Sequence, residues 1–275
     1  MADVSLADIK ALRERLGTGM VDTKNALVEA EGDFDKAVEI LRLKGAKGNA
    51  KRADRSTSEG LIAAVESATA TTMIELACET DFVAKNDKFI ALGNTVLQAL
   101  ADSGAETLDA ALAVTIDGKT VAATIDEEAA ILGEKIELRR VVRIPGDQFA
   151  VYLHRTSKDL PPQVGVVVAY TGDDVETARS IAQHISFADP VYLSRDDVPA
   201  EDVEKERHIV EEISRGEGKP EAALPKIVEG RVTSFFKQVA LLEQDYARDN
   251  KLTVNKVLTD AGLTVTEFAR FKVGA

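Results

Sequence analysis

Cysteine, histidine and unbroken apolar sequence are all scarce in this chain, and each shortage closes off a class of function. The lone cysteine among 275 residues, Cys78, excludes an internal disulfide and any multi-cysteine zinc site. The three histidines, His154, His184 and His208, stand far apart, and none lies in a His-Glu-x-x-His context. No apolar run approaches ~18 residues, so no membrane-spanning helix is expected. The N-terminal Met-Ala-Asp-Val-Ser has neither the basic start nor the apolar stretch of a signal peptide. Together these features imply a cytoplasmic protein. Positive charge is also short, at 34 Lys and Arg against 47 Asp and Glu, for a net charge of −13. Such a chain is a poor general binder of phosphate backbones, so no direct nucleic-acid partner is expected.

Enzyme motifs are missing as well. Asp117-Gly118-Lys119-Thr120 resembles the end of a phosphate loop, but Ala113 stands where the first glycine belongs, and a plain helix start accounts for it. There is no Gly-x-Ser-x-Gly elbow and no Gly-x-Gly-x-x-Gly run. Cys78 lies on an apolar strand face and reads as a buried, inert thiol. Carboxylates abound, yet nothing in their spacing selects an acid–base pair.

What is present is hydrophobic patterning, with 45% apolar residues and length enough for two domains and a large core. Residues 5–44 read as three short helices. Ser5 and Asp8 form a Ser-x-x-Asp cap ahead of Leu6, Ile9, Leu12 and Leu16. Gly17-Thr18-Gly19 breaks that helix, Asp33 caps the third, and Gly45 ends it. Residues 45–58 mix Lys47, Lys51, Arg52 and Arg55 with Gly, Ala and Ser, and read as a linker. An RNA-binding tract is the competing reading, but no aromatic is interleaved to stack on bases. Beyond Gly60, strands at 61–66 and 72–79 precede a helix over 87–103 and shorter helices at 107–114 and 118–133. Strands at 135–144, 147–155 and 163–171 and a helix ending near Phe187 follow, an α+β pattern rather than strict βαβ alternation. Residues 200–242 read as a helical hairpin with narrow seams that projects from the core, and the chain closes with a helix near 253–261 and a strand near 263–273.

The segment Glu79-Thr80-Asp81-Phe82-Val83-Ala84-Lys85-Asn86 joins an apolar strand to a helix. Residue mechanics favour a local reading, in which Asp81 or Asn86 caps the helix and Phe82 folds into the core. The functional reading makes Phe82 an exposed anchor for a partner's pocket, where such residues are worth ~2 kcal/mol or more.

Thr80-Asp81-Phe82-Val83-Ala84-Lys85 after Cys78 resembles the signature of the translation elongation factor Ts family. Leu12-Arg13-Glu14-Arg15, Gly17-Thr18-Gly19-Met20, Asp22, Lys24 and Ala26-Leu27 are similar to that family's N-terminal segment. Gly218-Lys219-Pro220 with Val228-Glu229-Gly230-Arg231, and Phe268-x-Arg270-Phe271-x-Val273-Gly274, are similar too, so the resemblance spans the chain. It implies an α+β fold: a ubiquitin-associated-like (UBA-like) three-helix domain with a basic linker over 1–54, and a core of two α+β subdomains with antiparallel sheets. These would cover 55–146, and 147–189 with 232–275, with a coiled-coil helical hairpin inserted at 190–231.

The resemblance also implies guanine nucleotide exchange on the GTPase elongation factor Tu, by binding alone, with no cofactor and no chemistry of its own. Thr80, Asp81, Phe82 and Val83 match the segment associated with displacing the partner's Mg2+, Phe82 as a wedge and Asp81 holding the displaced arrangement. Arg13, Met20 and Val21 match the N-terminal docking face. Met20 could instead close the three-helix core. His154, after Tyr152-Leu153, aligns with a core contact, although Arg155 to Pro162 is longer than the family pattern. The hairpin's seam permits a homodimer. The chain stops where some members continue into a C-terminal helical module. Two rival readings are a nucleotide-indifferent UBA-like adaptor or chaperone, and an enzyme built on an unrecognised carboxylate pair.

Overall fold

The computed structural model describes residues 4–16 and 18–275; Gly17, read above as a helix breaker, lies outside the described residues. Three helices open the chain: α1 (Leu6–Leu16), α2 (Met20–Glu29) and α3 (Phe34–Arg52). The expected caps form. The Asp8 amide donates to Ser5 Oγ while the Ser5 amide donates to Asp8 Oδ2, and Asp33 accepts from the Asp35 and Lys36 amides. Ile9, Leu12, Ala26, Leu27, Ala37 and Leu41 close a small common core.

The linker expected over 45–58 is largely absent, because α3 continues through Gly45 to Arg52. The reason is tertiary. A helix α7 (Val121–Leu132) crosses α3 at Gly45, where a Cβ would lie 2.6 Å from that of Ala130. Gly45 is therefore a point of close helix approach rather than a stop. Beside it Arg42 pairs with Glu127 at 3.2 Å, and Asn49 Nδ2 donates to the Asp126 carbonyl at 2.7 Å. Polar contacts of this kind leave no apolar stripe to read in sequence.

The core follows as an α+β arrangement with antiparallel sheets. β1 (Glu59–Glu66) and β2 (Ala70–Cys78) precede α4 (Asp81–Ala84), α5 (Asp87–Ser103) and α6 (Leu108–Ala113). A short ribbon, β3 (Thr115–Ile116) and β4 (Lys119–Thr120), leads into α7, then β5 (Ile136–Pro145). That ribbon occupies the expected start of the 118–133 helix. Asp117-Gly118 forms its turn, and Thr120 caps α7 by accepting from the Ala123 amide. The second half holds β6 (Phe149–His154), β7 (Val164–Thr171), α8 (Val175–Ala188), α9 (Ala200–Gly216) and α10 (Leu224–Val239). It ends with β8 (Asp245–Tyr246), β9 (Asp249–Thr253), α11 (Val254–Asp260) and β10 (Thr264–Lys272). The β8–β9 ribbon was unforeseen because its residues carry no apolar alternation.

Strands order as β1-β2-β5 in one sheet and β10-β7-β6 in the other. Alternation decides the layers. Ile62, Met73 and Ile144 of the first sheet face Val167, Ala169 and Phe271 of the second. Leu61, Ile74, Leu76 and Cys78 point the other way, under Phe89, Val96 and Leu100 of α5, and Val166, Val168 and Tyr170 lie under Ile181 and Ile185 of α8. The sheets approach closely at Gly165, where a Cβ would stand 2.9 Å from Met73 Sδ and closer still to Ile62. Buried Glu75 crosses this joint, paired with Arg139 and Arg140 and accepting from the Gly274 amide. Arg140 also donates to the Lys272 carbonyl at 2.7 Å.

The pair α9–α10 packs on Val210, Val228, Val232 and Phe236. It is pinned at its base, where the Val191 and Tyr192 amides donate to the Val239 carbonyl and the Leu241 amide to that of Tyr192.

His184 is buried on α8. It accepts the Ala247 amide at Nδ1 (3.1 Å), so the proton sits on Nε2, donated to Gln244 Oε1 at 2.8 Å. Burial lowers its pKa. The unfolded chain takes up this proton at a higher pH than the folded one, so the contribution to stability is complete above the ordinary histidine value of ~6.5 and is lost as pH falls from there toward the lowered value. The unfolding midpoint in urea is expected to fall between pH 7 and pH 5, with a shallower fall in His184→Gln. Parallel pH profiles for the two proteins would refute this.

Candidate functional site

Strand β2 delivers the chain to Cys78, and four residues later a phenyl ring stands in solvent. Thr80 caps α4, its Oγ1 accepting from the Val83 amide at 3.4 Å, and one helical turn sorts the side chains. Val83 and Ala84 are buried against the Phe89 cluster. Phe82 points outward, 75% exposed, and Asp81 beside it is half-buried. The reading of Phe82 as a core residue is thus overturned, while its companion holds in part, because Asn86 caps α5 by accepting from the Lys88 amide. Lys85, one turn on, bridges the pair, with Nζ 3.0 Å from Asp81 Oδ2 and 4.5 Å from the centre of the Phe82 ring.

The turn after α7 anchors this loop. Glu134 Oε2 accepts the amides of Glu79 (3.1 Å) and Thr80 (3.0 Å), and Oε1 accepts the Thr80 hydroxyl at 2.5 Å. In return the Lys135 amide donates to Glu79 Oε1 at 2.6 Å, and Arg55 pairs with Glu79 Oε2 at 3.0 Å. Burial alone would raise the Glu79 carboxyl; the Lys135 amide and the Arg55 guanidinium outweigh it and hold it below the usual range. Cys78 lies directly beneath, its Sγ donating to the Thr80 carbonyl. Burial, reinforced by the Glu134 carboxylate, pushes the thiol far up, which makes it unreactive.

The remaining candidates lie elsewhere. Arg13 is exposed on α1; Met20 and Val21 open α2, 44% and 69% exposed, so Met20 does not close the three-helix core. His154 ends β6, exposed, with Nδ1 3.2 Å from the Tyr152 hydroxyl. Hydrogen bonds through Gln163 place it at the same end of the layers as the Phe82 loop. The Gln163 amide donates to the His154 carbonyl, and Gln163 Nε2 to that of Gly60, whose neighbour Glu59 pairs with Cys78. His208 is exposed on α9, and among the described residues no three His, Cys, Asp or Glu side chains group as a metal site. No helix among those residues is long and apolar enough to cross a membrane.

Sequence reasoning missed Glu134 and Lys85. Lys85 carried a signal, four residues beyond Asp81 on a helix. Glu134 carried none, standing 54 residues from the threonine it holds.

Comparison with known proteins meets the geometry at this loop. A family model described as Elongation factor TS matches residues 79–275, beginning at the clamped Glu79. The chain belongs to the elongation factor Ts family. Elongation factor Ts of Leifsonia xyli subsp. xyli is 73% identical over 276 residues, covering the whole of both chains. Those of Clavibacter sepedonicus and Tropheryma whipplei (strain Twist) are 70% and 57% identical, again over the full length of each. As a member of the elongation factor Ts family, the chain is a translation elongation factor and serves protein biosynthesis.

The sorting of side chains on α4 can be checked by stability alone. Phe82→Ala is expected to leave the free energy of unfolding within about 0.5 kcal/mol of wild type. Val83→Ala should cost about 1–2 kcal/mol. Equal losses in urea titrations would contradict the inward and outward assignments.

Proposed function

We propose that the protein is a guanine nucleotide exchange factor for elongation factor Tu, acting through binding and without chemistry of its own. The observation that carries this reading is the Phe82 ring, held outside the core on a loop tied down at both ends. A GTPase grips GDP through phosphate contacts and a bound Mg2+. A factor that stabilises a conformation of the GTPase lacking those contacts must weaken the nucleotide by the same factor that the nucleotide weakens it, tenfold for each 1.4 kcal/mol of coupling. Phe82 supplies the wedge, since burying its ring in a partner is worth about 2 kcal/mol. Asp81 holds the displaced arrangement, with Thr80 and Val83 fixing the turn, and the partner's Mg2+ is released in consequence.

In the same reading residues 1–54 form a UBA-like domain whose Arg13, Met20 and Val21 dock on elongation factor Tu. Residues 55–146 form one core subdomain and 147–189 with 232–275 the other, from which His154 makes a further contact. Residues 190–231 form a coiled-coil protrusion able to pair two copies. The protein works in the cytoplasm and binds no nucleic acid directly. Support for a binding face comes from the exposure of Phe82, Met20 and Val21 and from the emergence of His154 at the layer end that carries Phe82.

The test is stopped-flow release of fluorescent GDP from elongation factor Tu. Wild-type protein should accelerate release, Phe82→Ala should reduce the stimulated rate about 10- to 30-fold, and Asp81→Ala should reduce it less. Unchanged stimulation by Phe82→Ala removes the ring from the mechanism, and a larger loss from Asp81→Ala reverses the two roles. Titrating GDP into the complex must displace the protein; a complex indifferent to GDP would instead indicate an adaptor.

A further inference from the structure

The four residues of α4 cannot hold their own shape, because a single helical turn gains too few bonds to offset the ordering of its backbone. Val83 and Ala84 fix its inner side. The approach from β2 is fixed by Glu134, whose carboxylate meets three donors and no acceptor: the amides of Glu79 and Thr80 and the Thr80 hydroxyl. Having given its hydrogen to Glu134, that hydroxyl has only lone pairs to present to the Val83 amide, which is the bond that starts the helix. A carboxylate suits this role better than an amide: glutamine would keep one oxygen for the two backbone amides, but it would lose the charge that strengthens all three bonds and would reverse the bond to Thr80, its NH2 donating to the hydroxyl. The acceptor is itself immobile. Gly133 closes α7 in the left-handed conformation, the Lys135 amide is bound by Glu79, and the next residue, Ile136, pairs with Cys78.

We propose that Glu134 is a positioning residue for nucleotide exchange: its charge orients the Thr80 cap and thereby aims Phe82 and Asp81 at the partner. This role rests on the exchange reading above. It is distinct from a general structural role, because its effect must pass through Phe82 and Asp81.

The experiment uses the full-length protein as wild type, Glu134→Gln, Phe82→Ala and the double variant, in fluorescent-GDP release from elongation factor Tu at increasing factor concentration. Glu134→Gln is expected to lower the saturating rate about tenfold, the scale of a misplaced contact group. The double variant should fall below Phe82→Ala alone by no more than Asp81→Ala lowers wild type, short of the product of the two single losses. Hydrogen exchange at the Glu79 and Thr80 amides should quicken about tenfold or more, with the central β2 amides unchanged. Wild-type rates from Glu134→Gln, or losses that multiply in the double variant, would overturn the role. Should Glu134→Gln fail to fold, Thr80→Val removes the hydroxyl that links Glu134 to the Val83 amide while leaving both backbone amides on Glu134, and must lower the saturating rate in the same direction; wild-type behaviour there overturns the role equally. A wild-type protein that does not accelerate release overturns the exchange reading and this role with it. That outcome is told apart from failure of Glu134 alone because it appears before any variant is made.

Discussion

At the turn that closes α7, two carboxylates exchange backbone amides. Glu134 takes those of Glu79 and Thr80, and Glu79 takes that of Lys135. Charge-assisted bonds of this kind are about twice as strong as neutral ones, and reciprocal placement fixes both strands of the turn at once. Three separate parts of the molecule meet there. Arg55, just beyond α3, joins through Glu79; β5 begins one residue later; and the loop toward α4 departs on the other side. The N-terminal helices reach the same place by a second route, since α3 lies against α7 at Gly45 and Ala130. Loss of the turn would therefore loosen the loop and one attachment of the N-terminal helices together.

This arrangement explains how an apolar ring can remain in water. Burying a phenyl ring would gain a few kcal/mol, and a flexible loop would let Phe82 fold back to collect it. The one-turn helix prevents that, because Val83 and Ala84 already occupy the inward direction and Thr80 and Asn86 cap both ends of the segment. Lys85 covers one face of the ring and neutralises Asp81, which keeps an acid and a phenyl group side by side at low cost.

Much of this was legible in sequence where side chains repeat with a period. The α5 boundaries, the strand faces of Ile74, Leu76 and Cys78, and the caps at Ser5, Asp33 and Asn86 all follow from local rules. What local rules could not show were features made by distant partners. Gly45 looks like a terminator until Ala130 is placed against it, and the basic run after it looks like linker until Asn49 and Arg52 within it donate to the Asp126 and Ala129 carbonyls of α7. Phe82 illustrates the same limit. Its residue type argues for the core, and only the burial of its neighbours Val83 and Ala84 turns it outward. Glu134 is an unremarkable acid in a turn until the fold brings Thr80 to it.

Binding that competes with a tightly held nucleotide demands stiffness from the competitor. Any freedom the contact groups retain before binding must be given up on binding, and the loss subtracts from the energy available to distort the partner. An aromatic ring on a mobile loop would meet a pocket by adapting to it, and could not force the pocket to adapt in turn. Here the ring stands on a turn whose amides are held by a carboxylate, on a strand buried on both faces, in a sheet tied to the second where buried Glu75 accepts the Gly274 amide and its partner Arg140 donates to the Lys272 carbonyl. On the exchange reading, the layered core serves as the rigid backing that allows a single ring to act on another protein. The buried charge at its joint and the half-buried charges at its loop then serve one end, because each fixes geometry that apolar packing alone would leave free to slide.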